Sequence, residues 1–320
     1  MMYATRFRPT LTTTLLPVLL LAMPVAAVAQ DRLYTSSDGA VSFQAGLGIA
    51  NIKAGEYVYD GDHKLSQLDW ESKGVKVGTL GTEIELGYNW RMKGRIDVGF
   101  SGNGEMEDRD WLDYSNDDWT HQSLHPDTKL GHYVNVTIEA DHALVDNGST
   151  RIALGGGAGY TDVKWKSYGG SYIYSSSASS LYDTVGTFDP DEKGISYRQK
   201  IPVAYLSASA EQTVGAFSVS GSMRGGVAFG FDGVDDHWMR DLRFFDEVKI
   251  APMVGATASL DYRFLPMTSI YLSGSFDKMF EGKGDTRVVH TPTSLQAIYA
   301  DTAGADYQIL SVSMGLKGKF

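Results

Sequence analysis

Apolar and polar residues alternate along most of this chain. Val41-Ser-Phe-Gln-Ala-Gly-Leu-Gly-Ile49 is apolar at odd positions, Val134-Asn-Val-Thr-Ile-Glu-Ala-Asp141 at even ones, and Phe217-Ser-Val-Ser-Gly-Ser-Met-Arg224 alternates again. A period of two sends successive side chains to opposite faces of an extended backbone, so these segments predict strands. The polar breaks between them are short near 89–93, 146–149, 212–215 and 262–267, and long near 105–127, 168–192, 232–241 and 280–305. Short turns at one end and long loops at the other predict an all-β fold: a transmembrane antiparallel β-barrel of the outer-membrane type, with the long loops extracellular. About ten strands are expected, an even number as is usual for bacterial barrels, starting near Val41, Lys64, Arg95, Thr128, Arg151, Gly194, Ala216, Arg240, Thr268 and Tyr307.

The two ends of the chain fit that picture. Arg6 and Arg8 precede a mostly apolar Leu11–Val25 and a small-x-small site, Ala27-Val28-Ala29. This is the form of a secretory signal peptide, expected over 1–29, with a single barrel domain over 30–320. At the other end Leu310, Val312, Met314 and Leu316 alternate with polar or small residues and the chain stops on Phe320. A last strand ending in Phe resembles the signal read by the machinery that assembles outer-membrane barrels. Beyond the signal peptide no run of about 18 apolar residues occurs, so no transmembrane helix is predicted. The mean hydropathy of −0.20 does not argue against a membrane barrel, because only every second residue need be apolar.

Charge and composition narrow the partners. Loss of the signal peptide removes two arginines and no acid, taking the net charge from −11 to −13. Such a chain suits cationic polypeptides and not nucleic acid. With 0 Cys, disulfides, thiolate metal sites and a Cys nucleophile are all excluded. No His, Asp and Glu spacing reads as a metal site, and no cofactor is expected.

Two short acidic stretches carry candidate chemistry. In an extended chain Asp235 and His237 share a face, so the carboxylate can accept one ring N–H, fix the tautomer and leave the other nitrogen free as a base. Asp108 and Asp110 are spaced the same way, and neighbouring carboxylates raise one another's proton affinity enough to share a proton and hold a water. Taken alone, both stretches also read as solvated loop acids, since Glu105, Glu107 and Asp113 lie beside the first pair.

Six blocks spread in order over the chain carry a more specific signal: Ser66-Gln-Leu-Asp-Trp70, Asp110-Trp-Leu-Asp113, His125-Pro-Asp-Thr128, Gly169-Gly-Ser-Tyr-Ile-Tyr-Ser-Ser176, Asp236-His-Trp-Met-Arg-Asp-Leu242 and Glu281-Gly-Lys-Gly284. In these the chain resembles the omptins, aspartyl-type endopeptidases of the bacterial outer membrane. The resemblance implies a ten-stranded barrel whose extracellular mouth holds a water between an Asp pair, Asp108 and Asp110, and a His–Asp dyad, His237 and Asp235. Ser123 and His125 fall in a matching block and are read as structural or as supporting the catalytic groups from behind, because no sequence-adjacent base activates Ser123. The catalytic positions share parity with the apolar sets of their own strands, so a register flip is needed before each; Gly102 or Gly104 and Gly233 are the expected places.

Omptins cut between basic residues, using acids in the substrate pockets. By resemblance Glu56 is the first acid for the P1 side chain. The second would stand at Gly233, and the acid often found in the P1′ pocket at His121, so two of three are absent. Asp232 is expected to replace one, or else is a plain loop acid. Basic P1 preference with relaxed P1′ choice follows. The family also requires lipopolysaccharide as a lipid activator, which implies contacts from Tyr160, Asp162, Lys164 and Lys200; the simpler reading of Lys164 is interfacial snorkelling. The rival function is a surface adhesin or receptor barrel with weak or no proteolysis. A diffusion porin is disfavoured, because ten strands enclose little water.

Overall fold

The structure, a computed structural model, describes residues 40–320; the expected signal peptide lies outside the described residues. The strands are β1 (Val41–Asp60), β2 (His63–Gly87), β3 (Trp90–Asp110), β4 (His121–Asp146), β5 (Thr150–Tyr168), β6 (Ser171–Tyr174), β7 (Thr184–Thr187), β8 (Ile195–Val214), β9 (Phe217–His237), β10 (Leu242–Leu265), β11 (Thr268–His290) and β12 (Leu295–Lys319). Ten of them are long and pair antiparallel in the order β3-β2-β1-β12-β11-β10-β9-β8-β5-β4, and β4 pairs back onto β3 to close the ring. The expected ten-stranded barrel is therefore what forms. The short β6 and β7 are a hairpin added to the upper end of β4.

Several strands run further than the sequence pattern indicates. The stretch expected as a loop over 105–127 is mostly ladder, with β3 reaching Asp110 and β4 starting at His121. Likewise β11 reaches His290 and β12 starts at Leu295, in place of a loop over 280–305. The long strands have 19 to 26 residues, whereas a tilted strand crosses a bilayer in about 9–11. Outward apolar side chains such as Leu47, Leu80, Ile138, Leu154, Leu206, Met223, Val254, Leu272 and Val312 form the belt over the lower half. Above it the outer face meets water, so alternation loses its apolar contrast while the hydrogen-bonded ladder continues.

The lumen is filled. Trp70 from β2 stacks on Tyr197 from β8 with ring centroids 5.8 Å apart and lies 6.1 Å from Trp165 of β5. Ile52, Met106, Phe231, Val248 and Met279 complete a buried layer across the barrel. Below the layer, a cavity of about 340 Å³ is lined by polar and charged side chains including the pairs Arg224–Asp277 and Arg95–Asp97. Above it lies an acidic cleft.

The side-chain register does flip between belt and cleft, as the parity of the catalytic candidates requires, but not where expected. On β9 the change occurs at Gly230, whose φ of +58° only glycine adopts readily, so that Phe229 faces out and Phe231 faces in. The opposing strand answers with two successive outward residues, Lys249 and Ile250. On β3 the flip falls at Phe100 and Ser101, just ahead of Gly102, where the pairing with β2 shifts. Gly233 sits above its strand's flip and serves another purpose, described below.

Candidate active site

The cleft is built from inward positions at the upper ends of β1, β2, β3, β4, β9 and β10, above the last outward apolar residues Ile49, Phe100, Phe229 and Ile250. On β9 the recovered register turns both Asp235 and His237 inward. His237 Nε2 lies 2.5 Å from Asp235 Oδ2, and the carboxylate is 1% exposed. With Nε2–H donated to the carboxylate, Nδ1 is the nitrogen left to accept a proton. Burial pulls the proton affinity of His237 down, but the Asp235 charge and hydrogen bond, with Asp108 beyond them, outweigh it and hold the imidazole above its ordinary value. After Asp235-Asp236-His237 the chain leaves the barrel in one 3-10 turn, Trp238–Arg240, ended by Asp241 in the left-handed region.

Across the lumen, β3 turns Asp108 and Asp110 inward. Asp108 stands opposite Leu68 on one side and Ser123 on the other; Asp110 stands opposite Ser66 and His121. Burial, then the neighbouring Asp110 and the more distant Asp235, push Asp108 up to about 7, with His237 opposing. Burial also raises Asp110. At neutral pH this pair therefore holds a proton for much of the time while facing an imidazole that can release or take one. Glu56, from β1, is 3% exposed. Burial first, then Asp235, Asp246 and Asp108, push its carboxyl well up, and its Oε2 has no hydrogen-bond partner among the described residues.

Three sequence readings change. Asp232 does not face the pocket. It lies on the outer face of β9, where its Oδ2 accepts from Lys200 Nζ at 2.6 Å. The reason is the flip at Gly230: above it, odd positions of β9 face in and even ones face out. Ser123 does have a base within reach, contrary to the reason first given for discounting it. Its Oγ is 3.0 Å from His125 Nε2, and His125 Nδ1 donates to the Gly169 carbonyl at 2.5 Å. Both side chains are buried, His125 beneath Phe188 with centroids 5.3 Å apart, so the pair locks β4 to the turn before β6. Third, β10 adds an inward carboxylate, Asp246, that its own stretch of sequence does not mark. The signal was the hairpin register itself: pairing Leu242 with His237 brings Asp246 opposite Gly233.

The four lipid-contact candidates do gather. Tyr160, Asp162 and Lys164 share the outer face of β5, and Lys200 is on the outer face of β8 beside them. Asp162 accepts from Arg198 Nε at 2.8 Å and lies 2.7 Å from His132 Nε2, so Arg198 and His132 belong to the same patch although nothing in their immediate sequence marked them. Among the described residues no group of three or more His, Asp or Glu is arranged to hold a metal ion.

A family model described as the Omptin family matches residues 37–320. The chain belongs to the omptin family. Its similarity to individual omptins is modest in identity but spans nearly their whole length. It is 24% identical to the plasminogen activator of Yersinia pestis over 299 residues, covering 92% of this chain and 94% of that protein. It is 24% identical to protease 7 of Escherichia coli K12 over 316 residues, covering 95% and 98%, and 26% identical to the outer membrane protease IcsP of Shigella flexneri over 289 residues, covering 87% and 89%. The crystal structure of the outer membrane protease OmpT from Escherichia coli superposes with a TM-score of 0.84 at 24% identity, covering 88% of this chain and 96% of that one. This omptin is thus an outer-membrane barrel, with its acidic cleft at the end that carries the longer connections.

Proposed function

We propose that this omptin is an outer-membrane endopeptidase that hydrolyses polypeptides next to basic residues, with a water activated between Asp108/Asp110 and His237/Asp235 at the extracellular mouth. The observation that carries the reading is the pairing of a buried, carboxylate-anchored imidazole with a proton-sharing Asp pair on the opposite wall of one cleft. His237 Nδ1 takes a proton from the water as its oxygen bonds to the scissile carbonyl carbon. Asp235 holds the ring and offsets the imidazolium charge. The proton held by Asp108 and Asp110 hydrogen-bonds the oxygen of the tetrahedral intermediate, and the proton on His237 passes to the leaving amine as the C–N bond breaks. No covalent enzyme intermediate is required. Glu56 supplies negative charge for a basic P1 side chain. At the P1′ side His121, which stands beside Asp110 and 4.8 Å from the ring of Tyr174, replaces an acid and removes the preference for a second basic residue. The outer patch of Tyr160, Asp162, Lys164 and Lys200 receives lipopolysaccharide, whose phosphates match the two lysines.

The test is cleavage of a quenched Arg-Arg peptide by refolded protein, with and without rough lipopolysaccharide, for wild type and His237→Ala. Wild type with lipopolysaccharide should cleave, and His237→Ala should lose about 10²- to 10⁴-fold in rate, the usual contribution of a positioned general base. Full activity without the lipid removes the activator role. No cleavage by either protein favours the surface adhesin or receptor alternative, and equal cleavage by both removes His237 from the mechanism.

A further inference from the structure

The wall beside the dyad holds one carboxylate that this mechanism leaves idle. Asp246 on β10 stands directly across the ladder from Gly233, two residues before Asp235 on β9. It is 4% exposed, and its Oδ1 accepts from Thr286 Oγ1 of β11 at 2.7 Å. Its place opposite the inward Gly233 turns it to the cleft that holds Glu56 and Asp235, and it adds to the proton affinity of Glu56. The two positions are tightly apposed: a Cβ on Gly233 would come within 3.3 Å of the Asp246 Cβ and 3.1 Å of Phe231 Cε1, so both neighbours would have to give by a few tenths of an ångström.

The charge around Asp246 is unbalanced. Among the described residues no Lys or Arg forms an ion pair with Glu56 or Asp246, whereas the carboxylates on the outer face, Asp162, Asp232 and Asp236, each hold a basic side chain. Glu56 Oε2 and Asp235 Oδ1 are buried without a hydrogen-bond partner among the described residues. Burying carboxylates without a counter-ion is costly, and the cost is relieved when a cation enters. Thr286 satisfies only one oxygen of Asp246, and the second remains for a ligand. Asp232, the residue the sequence offered for this duty, is spent on Lys200 outside the barrel.

We propose that Asp246 is a specificity-determining residue, supplying with Glu56 the two-carboxylate pocket that receives the guanidinium or ammonium of the P1 side chain from the strand opposite Gly233. The proposal rests on the reading of the cleft as an endopeptidase site. A guanidinium between Glu56 and Asp246 gains charge-assisted hydrogen bonds to both walls, and a neutral side chain of the same shape gains neither.

The experiment compares two peptides that differ only in Arg or citrulline at P1, the latter isosteric and uncharged. The readout is the ratio of their kcat/KM values with lipopolysaccharide-loaded protein. Wild type should favour Arg. Asp246→Asn should reduce the ratio by about 10- to 100-fold, the loss of one charge-assisted contact. The swap Gly233→Asp with Asp246→Gly moves the carboxylate to the other strand and should restore the ratio. An unchanged ratio in Asp246→Asn overturns the proposal, as does equal loss on both peptides in folded protein. Should Asp246→Asn fail to fold, Asp246→Ser takes its place: a reduced ratio supports the proposal, and an unchanged one overturns it. Failure of the underlying reading looks different: wild type then cleaves neither peptide, or both equally.

Discussion

In the proposed mechanism the protonation state of one ring decides when this cleft can work. His237 accepts a proton from water only when Nδ1 is empty, and Asp235 and Asp108 together raise the imidazole above its ordinary value. Activity should therefore rise with pH along an acid limb whose midpoint lies above about 6.5, the unperturbed value for histidine. The sign of the Asp235 effect follows directly. Removing the carboxylate removes what stabilises the imidazolium, so Asp235→Asn should move the acid limb of kcat/KM to lower pH while lowering the plateau by about 10²-fold or more. A profile that stays in place, or moves to higher pH, would mean that Asp235 does not set the proton affinity of His237. Opposite reasoning applies to the inner acids. Asp108 and Asp246 are both pushed up to about 7, mainly by burial. A folded state that binds protons more tightly than the unfolded chain loses stability as pH rises through the interval from about 4 to about 7. The acidic cleft is thus a site of stored electrostatic cost, which the proposed cationic substrate would offset.

At the scale of the strand, a local kink lets one ribbon serve two environments. Below Gly230 the odd positions of β9 face lipid; above it they face the cleft and carry Phe231, Gly233, Asp235 and His237. Gly230→Val places a β-branched residue at a φ of +58°, costing about 1–2 kcal/mol or forcing the kink to relax. Its kcat/KM should fall at least tenfold, whereas Gly225→Val on the outward face, where an added Cβ meets nothing within 4 Å, should change it less than twofold. Parity alone announced that such a flip must exist, since Phe217, Val219 and Asp235 are all odd. It did not locate the flip, because Gly230 and Gly233 are equally permissive as letters and only the backbone shows which adopts positive φ. The same limit explains the strand ends. Alternation was visible wherever lipid enforced it, as over Val134–Ala140, and vanished above the belt, where β3 and β4 continue with both faces polar. Asp246 was hidden for a third reason: its meaning depends on the register between β9 and β10, which a single strand does not contain.

As a whole molecule this omptin separates three tasks along one axis. An apolar belt holds the lower half in the membrane, a layer around Trp70, Trp165 and Tyr197 closes the lumen, and the upper half exposes an acidic cleft beside the long connections. The closed lumen makes a conduit a poor reading, while the net negative charge suits the proposed cationic substrates. In the proposed mechanism the upper half is more than a binding surface because two walls, β3 and β9, act together on one water. A double-mutant cycle tests this most directly. Asp108→Asn, His237→Ala and the combined variant are assayed for kcat/KM on an Arg peptide with lipopolysaccharide. Each single substitution should cost about 10²- to 10⁴-fold, and the double should be within about threefold of the worse single, because groups that act as a unit are not additive. Losses that multiply, or a His237→Ala protein that cleaves as fast as wild type, would contradict a water shared between the two walls.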